Sequence, residues 1–81
     1  MFMSDFSNKQ FGERLREVRM NRDITQQNMA DELCIELRSY QNYEAGDRFP
    51  SAASLRAIAM KLDVSMDYLF WLSDEDPAGE C

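Results

Sequence analysis

Apolar residues along the chain recur at spacings of three and four, the period of an amphipathic α-helix. Phe11, Leu15 and Val18 follow this spacing, and Ser7 stands before them where a capping-box serine would. No stretch alternates between apolar and polar residues as a half-buried strand does. The pattern predicts a first helix over about residues 8–22 and an all-α protein.

Four further helices are predicted from capping residues and apolar stripes. Thr25 is a good N-cap for the second helix, and Ser51 and Ser65 are good N-caps for the fourth and fifth. The third helix is expected over about residues 36–45 and to stop at Gly46, because glycine favours a helix C-terminus. Five short helices with tight connections predict one compact all-α domain.

The connection between the second and third helices is the most informative one. Only Cys34 and Ile35 lie between Leu33 and the expected start of the third helix. The chain must turn sharply there, which is the layout of a helix-turn-helix. In that layout the later helix fits the DNA major groove, which is about 12 Å wide, so these helices are a candidate DNA-binding surface.

The composition removes several classes of function. The chain has 81 residues, no histidine and two cysteines, Cys34 and Cys81, which lie far apart. Most metal sites, histidine bases and Cys/His nucleophile pairs are thereby excluded, so we expect no enzyme, no metal and no cofactor. No apolar run reaches the roughly 18–20 residues that span a bilayer, and the N-terminus does not look like a signal peptide. We therefore expect no membrane contact and a cytoplasmic location.

The net charge of −6 argues against nucleic acid, but the acidic residues are unevenly placed. The last ten residues carry no base and four acids: Asp74, Glu75, Asp76 and Glu80. Residues 1–71 therefore contain nine basic and eleven acidic residues, so one face of this part of the chain can still be basic. We predict an N-terminal arm at 1–9, a helical domain at 10–73 and a flexible acidic tail at 74–81.

Four motifs stand in a recognisable order. They are Phe11-Gly12-Glu13-Arg14-Leu15-Arg16, Ile24-Thr25-Gln26-Gln27-Asn28-Met29-Ala30, Tyr43-Glu44-x-Gly46-x-Arg48-x-Pro50 and Val64-Ser65-x-Asp67-x-Leu69-Phe70. In order and spacing they resemble the Cro/CI-type (XRE-like) helix-turn-helix family, with a lambda-repressor-like fold. Members are bacterial and phage transcription regulators, restriction controllers and antitoxins, usually dimeric on palindromic operators. We see no effector domain in the sequence and therefore expect a stand-alone member, and the resemblance implies a bacterial or phage origin.

The resemblance also implies roles for particular residues. The outward positions of the third helix, which reach base edges in the family, are Leu37, Arg38, Gln41 and Asn42. The positions that contact the DNA backbone are Thr25, Gln26 and Arg48. Arg19 and Glu44 match an ion pair between the first and third helices. The expected partner is double-stranded DNA, bound by a homodimer that acts as a repressor.

Several residues depart from the family's pattern. Cys34 and Asp63 stand where glycine is usual, and a non-glycine residue with positive φ costs about 1–2 kcal/mol unless it is Asp or Asn. Glu36 replaces the Ser or Thr that usually caps the third helix, the helix that reads DNA in the family. Its negative charge interacts favourably with the helix dipole but repels the DNA phosphates. Leu37 is apolar where a polar base reader is commoner, and it suits a thymine methyl.

Other side chains have a structural interpretation and a functional one. We expect Tyr40 and Tyr43 to belong to the core rather than to stack on bases, and the same for three methionines, Met29, Met60 and Met66. Cys34 is expected to be buried or half-buried rather than a redox sensor. Three arginines, interleaved with glutamates, are expected on a solvated face: Arg14, Arg16 and Arg22.

Phe70 and Trp71 cannot both face the core, because adjacent helix positions point about 100° apart. We expect them at a homodimer interface, where aromatic residues are enriched. Packing against Phe2 and Phe6 is the alternative. The acidic balance, Glu36 and these aromatics also support a second hypothesis, in which the chain is an antitoxin or adaptor whose main target is another protein.

Overall fold

The computed structural model describes residues 7–72. In this part the chain forms five helices and no strand. The helices are α1 (Asn8–Asn21), α2 (Gln26–Leu33), α3 (Leu37–Ala45), α4 (Ala52–Leu62) and α5 (Met66–Leu69). The predicted all-α fold of five helices is confirmed. The predicted tail at 74–81 and most of the predicted arm at 1–9 lie outside the described residues and stay predictions.

Short polar side chains begin four of the five helices. Each accepts a hydrogen bond from the backbone N–H three residues later, over 3.0–3.2 Å. The four caps are Ser7, Thr25, Ser51 and Ser65. Each such cap contributes about 1 kcal/mol, because it satisfies an N–H that has no partner within the helix.

The core is built from the apolar stripes of all five helices. Its fully enclosed side chains include Phe11 and Leu15 of α1, Met29 of α2 and Tyr40 of α3. α4 turns Leu55, Ile58 and Leu62 inward, and Val64, Tyr68 and Leu69 complete the cluster from the α5 side. The prediction that Tyr40 is a core residue is confirmed, and Tyr43 is half-buried against the same cluster.

Two of the three methionines predicted in the core are exposed. Met29 is fully buried, but Met60 is 66% and Met66 40% exposed. α4 already buries Ile58, and a residue two positions further points about 200° away from it. Met60 therefore lies on the outer side of α4, and its core assignment was wrong.

A close approach between α1 and α3 sets the position of α3. A Cβ atom added at Gly12 would lie 2.3 Å from the carbonyl oxygen of Glu44, so only glycine allows this contact. Gly46 ends α3 with φ 85°, a conformation that side chains rarely adopt, and it packs against the backbone of Lys9. Both glycines hold the C-terminal end of α3 against the first turns of α1.

Candidate nucleic-acid interface

The turn between α2 and α3 is short and depends on one left-handed residue. Cys34 has φ 59° and ψ 42°, and its backbone N–H donates to carbonyl groups of the last turn of α2. Ile35 N–H donates to the Ala30 carbonyl over 3.0 Å, and α3 begins after Glu36. The chain reverses without glycine at this position. The side chain of Cys34 is exposed, contrary to the burial we predicted, because a left-handed C-cap turns it away from both helices.

The predicted base-contacting residues lie together on the outer side of α3. Arg38 and Gln41 are exposed, whereas Leu37 and Asn42 are half-buried. Positions three and four apart are neighbours on a helix, so these side chains form one row. The row offers a guanidinium and two amides, the groups that pair with guanine and adenine edges.

A chain of hydrogen bonds connects this row to the interior. Gln41 Nε2 donates to Gln26 Oε1 over 3.2 Å, and Gln26 Nε2 donates to Glu44 Oε1 over 3.0 Å. Gln26 is the first residue of α2, and Gln41 lies near the middle of α3. The amide of Gln41 is thus held by a residue that is itself held by the core. Such support fixes a side chain before it meets a ligand and lowers the entropy that binding must overcome.

Arg19 and Glu44 form the buried end of that chain. Arg19 Nε donates to Glu44 Oε2 over 2.6 Å and Nη2 to Oε1 over 3.3 Å, while Nη1 donates to the Ile24 carbonyl over 2.7 Å. Both residues are only 9% exposed. The hydrogen bond to Glu44 raises the pKa of Arg19, although burial acts in the opposite sense. Arg19 therefore stays charged, and its ion pair with Glu44 ties α1 and α3 together.

Tyr40 lies beside this pair and makes the stability of the fold depend on pH in the alkaline range. Burial, with the Glu44 carboxylate, raises the pKa of the Tyr40 hydroxyl well above its usual value of 10.0. Well below pH 10 the hydroxyl is neutral in both the folded and the unfolded chain. Above pH 10 the Tyr40 hydroxyl ionises only in the unfolded chain. The free energy of unfolding therefore falls as the pH rises further.

We expect Tyr40→Phe to remove this loss. In the natural chain each further pH unit above the tyrosine's usual value lowers the free energy of unfolding by up to about 1.4 kcal/mol through Tyr40. Urea unfolding at roughly pH 8 and roughly pH 11 measures the effect, as the difference between the natural chain and Tyr40→Phe. Parallel pH profiles for the two proteins would contradict it.

A polar cleft of about 370 Å³ lies where α1, α2 and α3 meet. Its lining comprises Arg16, Arg19, Met20, Gln26, Gln41, Glu44 and Ala45. We predicted Arg16 on an ordinary solvated face and missed that it lines the same cleft as Gln26 and Gln41. Its spacing of three from Arg19, on the same side of α1, was the available signal.

Of the predicted backbone-contacting residues, Gln26 lines this cleft, Thr25 precedes α2 and Arg48 follows α3. Thr25 is exposed as the N-cap of α2, with Oγ1 accepting from Asn28 N–H over 3.0 Å. Arg48 is exposed in the loop after α3, where its N–H donates to the Asn42 carbonyl over 3.2 Å. Glu36, before α3, is exposed and makes no side-chain capping bond, so its carboxylate faces solvent.

Phe70 and Trp71 both pack against the first turns of α1. Phe70 is half-buried and makes edge contacts with Phe11 and Phe49. Trp71 is 43% exposed, and its Nε1–H donates to the Gln10 carbonyl over 2.7 Å. Their predicted place in a dimer interface stays a prediction. The alternative partners, Phe2 and Phe6, lie outside the described residues.

Trp71 also covers an arginine that we expected in solvent. The guanidinium of Arg14 lies 3.9 Å from the ring centre of Tyr68 and 3.7 Å from that of Trp71. Only 4% of Arg14 is exposed, so its assignment to a solvated face was wrong. Helical periodicity could not predict the burial of Arg14, because the aromatic rings that enclose it lie more than fifty residues later in the sequence.

Within residues 7–72, no group of three or more histidine, cysteine, aspartate or glutamate side chains could hold a metal ion. No helix in the same part of the chain is long and apolar enough to cross a membrane.

Comparisons with known proteins agree with this geometry. A family model described as “Helix-turn-helix domain” matches residues 12–75. The uncharacterized HTH-type transcriptional regulator YqaE of Bacillus subtilis (strain 168) is 48% identical over 59 residues, which are 73% of this chain and 51% of that protein. The cryptic phage CTXphi transcriptional repressor RstR of Vibrio cholerae is 42% identical over 66 residues, which are 79% of this chain and 59% of that protein. The chain thus spans between half and three fifths of these relatives.

Solved structures show the same fold. The restriction-modification controller protein C.AhdI from Aeromonas hydrophila superposes with a TM-score of 0.72 at 28% identity, covering 78% of this chain and 96% of that one. ComR from Streptococcus suis gives 0.70 at 28% identity, covering 93% of this chain and 24% of that one. The resemblance that the four motifs indicated is confirmed.

Proposed function

Because the chain belongs to the helix-turn-helix domain family, we propose that it is a sequence-specific regulator of transcription that binds double-stranded DNA. It acts as a repressor by occupying a palindromic operator as a homodimer. The observation that carries this proposal is the outer row on α3, in which Gln41 is held through Gln26 by the buried Arg19–Glu44 pair. The transcriptional repressor RstR and the controller protein C.AhdI among its relatives support it.

In this function α3 enters the major groove and reads bases. Arg38 pairs with the O6 and N7 atoms of a guanine, and Gln41 or Asn42 pairs with an adenine edge. Leu37 contacts a thymine methyl group. Gln41 is the best oriented of these readers, because its amide is hydrogen-bonded before DNA arrives.

The DNA backbone is contacted from the two sides of α3. Thr25 and Gln26 meet one phosphate group at the start of α2, where backbone N–H groups favour an anion. Arg48 meets another beyond the end of α3. Arg16 adds a further cation, because it lines the same cleft as Gln26 and Gln41. These contacts fix the register of the protein on DNA, and the row on α3 supplies the specificity.

We expect Arg38→Ala and Arg48→Ala to weaken operator binding in different ways. Arg38→Ala costs about 1–3 kcal/mol and relaxes preference at one base position. Arg48→Ala weakens all sequences alike and reduces the slope of log affinity against log salt by about 1. Lys61→Ala is the matched control, because it removes one positive charge from α4 at a residue that belongs neither to the row on α3 nor to the lining of the cleft. Unchanged affinity in both arginine variants would show that the contacts are wrongly assigned.

Fluorescence anisotropy of labelled DNA tests the proposal itself. The full chain is titrated onto DNA from upstream of its own gene and onto a scrambled duplex, at two salt concentrations. Tight binding to the upstream DNA alone, weakening with salt, supports a specific regulator. Equal or absent binding to both duplexes contradicts it. The net charge and Glu36 would then point to a protein as the main target.

A further inference from the structure

The guanidinium of Arg14 is buried beside α5 with donors that are not used. Only 4% of Arg14 is exposed, and its Cζ lies 3.9 Å and 3.7 Å from the ring centres of Tyr68 and Trp71. Within residues 7–72, Nε and Nη1 of Arg14 have no hydrogen-bond acceptor. The aromatic faces attract the cation, but they do not replace an oxygen acceptor. Buried donors are rarely left unpaired in native proteins, so these two point to an acceptor outside residues 7–72.

The neighbouring side chains of α1 do not supply this acceptor. The Glu17 carboxylate lies 3.8 Å from Arg14 Nε, beyond hydrogen-bond distance, and the Glu17 side chain is 53% exposed. Gln10 Oε1, one turn earlier, is also buried without a partner in the described part of the chain, so it does not accept from Arg14. Arg14 therefore offers a positive charge and directed donors to a carboxylate from another segment.

The acidic tail starts beside this guanidinium. The structure describes the chain as far as Leu72, and three successive acids follow shortly after it: Asp74, Glu75 and Asp76. An extended chain advances about 3.3–3.6 Å per residue, so the Cα atom of Asp74 lies within roughly 11 Å of that of Trp71. Because the Trp71 ring already contacts the guanidinium, these carboxylates are within reach of Arg14.

We propose that the carboxylates of Asp74, Glu75 and Asp76 dock on the guanidinium of Arg14 and hold the tail, residues 74–81, against α1. The charges are complementary, since the tail has four acids and no base. Three successive acids offer several oxygens to N–H groups that point in different directions. A counter-charge at this position also lowers the free-energy cost of burying the guanidinium.

Docking on Arg14 keeps the tail away from the row on α3. Gly12 faces the backbone of α3, and a residue two positions later points about 200° away from it around α1. The consequence for DNA rests on the proposed function: the tail acids stay on the far side of α1 and do not repel the phosphates. At physiological salt, charges further apart than about 8 Å are largely screened. A chain with a net charge of −6 can then bind DNA through a locally basic surface.

NMR spectroscopy of the arginine Nε–H groups in the full chain tests the contact directly. A neutral-tail variant carries three substitutions of matched size: Asp74→Asn, Glu75→Gln and Asp76→Asn. It shifts the Nε–H signal of Arg14, because the charged acceptors are lost, and Arg14→Lys identifies that signal. The Nε–H signal of Arg19 is the internal control and stays in place, since its acceptor is Glu44. An unmoved Arg14 signal would overturn the inference.

Urea unfolding tests whether the contact stabilises the fold. The neutral-tail substitutions raise the unfolding equilibrium constant by about threefold to tenfold in the natural chain and leave it unchanged in Arg14→Met, which keeps an aliphatic stem without donors. The sign is informative, because removing acids from a chain of net charge −6 would otherwise reduce self-repulsion and stabilise it. Glu80→Gln, further along the same tail, is the control and changes the constant by less than about twofold. Equal effects in both backgrounds would show that the tail does not contact Arg14.

DNA binding tests the consequence. In the natural chain the neutral-tail substitutions change operator affinity by less than about twofold at physiological salt, because the docked acids are screened from the DNA. In Arg14→Met the tail is released, and the same substitutions raise affinity by about threefold to tenfold, since they remove acids that repel phosphate. A comparable gain in the natural chain would place the tail on the DNA-binding surface and overturn the inference.

The inference and the proposed function fail separately. The NMR and unfolding experiments need no DNA, so a chain that binds no operator can still show the contact between the tail and Arg14. A chain that binds its operator specifically, with an unmoved Arg14 signal, overturns only the inference. If Arg14→Met does not fold, the Nε–H signal of Arg14 in the neutral-tail variant decides.

Discussion

Glu44→Ala lowers the free energy of unfolding by about 3–5 kcal/mol, because it leaves the guanidinium of Arg19 buried without its counter-charge. Arg19 Nε and Glu44 Oε2 lie 2.6 Å apart, and both side chains are almost enclosed. The substitution also removes the acceptor of Gln26 Nε2. The total stability of a small domain is about 5–15 kcal/mol, so this loss is a large share of it.

Glu32→Ala is the matched control for this prediction. Glu32 and Glu44 each precede the last residue of a helix, and each faces a cation. Glu32 differs in that its side chain is 53% exposed, 3.3 Å from Lys61 Nζ, and an exposed pair contributes at most about 1 kcal/mol. Urea unfolding followed by circular dichroism compares the two. Equal small losses would mean that burial adds nothing to the Arg19–Glu44 pair.

Gly12→Ala is expected to destabilise the protein by about 3 kcal/mol, at the upper end of the usual cost of overpacking. Helix propensity alone predicts the opposite sign, since alanine is better than glycine inside a helix by about 1 kcal/mol. The steric effect wins here because the added Cβ would lie 2.3 Å from the Glu44 carbonyl oxygen and 2.7 Å from that of Tyr43. Both atoms belong to backbone, which cannot rotate away.

The same variant should also reduce DNA binding, because α1 and α3 must separate to admit the methyl group. Glu13→Ala, one position along α1 and exposed, adds no atom at the contact with α3 and should leave stability within about 0.5 kcal/mol. Thermal unfolding of both variants gives the comparison. A stabilised Gly12→Ala would show that the two helices can move apart at little cost.

Local signals were sufficient to predict the helices. Ser7, Thr25, Ser51 and Ser65 cap four helices where the sequence placed them, because a cap depends only on a hydroxyl and the next few backbone N–H groups. The apolar spacing in α1 likewise identified its buried face, because this spacing is also a local property of the sequence. Glu36 was counted in the third helix and proved to be its N-cap, a difference of one residue.

The candidate interface was predictable in part. The positions of Arg38, Gln41 and Arg48 followed from the register of the motifs, and the structure leaves all three exposed. The hydrogen bonds from Gln41 through Gln26 to Glu44 were not predictable, because they join side chains from two helices. Arg16 was missed for the same reason, since its cleft exists only once α1, α2 and α3 have packed.

The sequence by itself determined the helices, their caps, the family and the exposed row on α3, since each depends on residues close together along the chain. Only the tertiary structure decided which charges are buried, why position 12 must be glycine and where an apolar surface remains open. Arg14 is buried under Trp71 and Met60 is exposed to solvent, because each position depends on how segments distant in the sequence pack together. Helical periodicity describes one helix at a time, whereas burial is set by all the helices together.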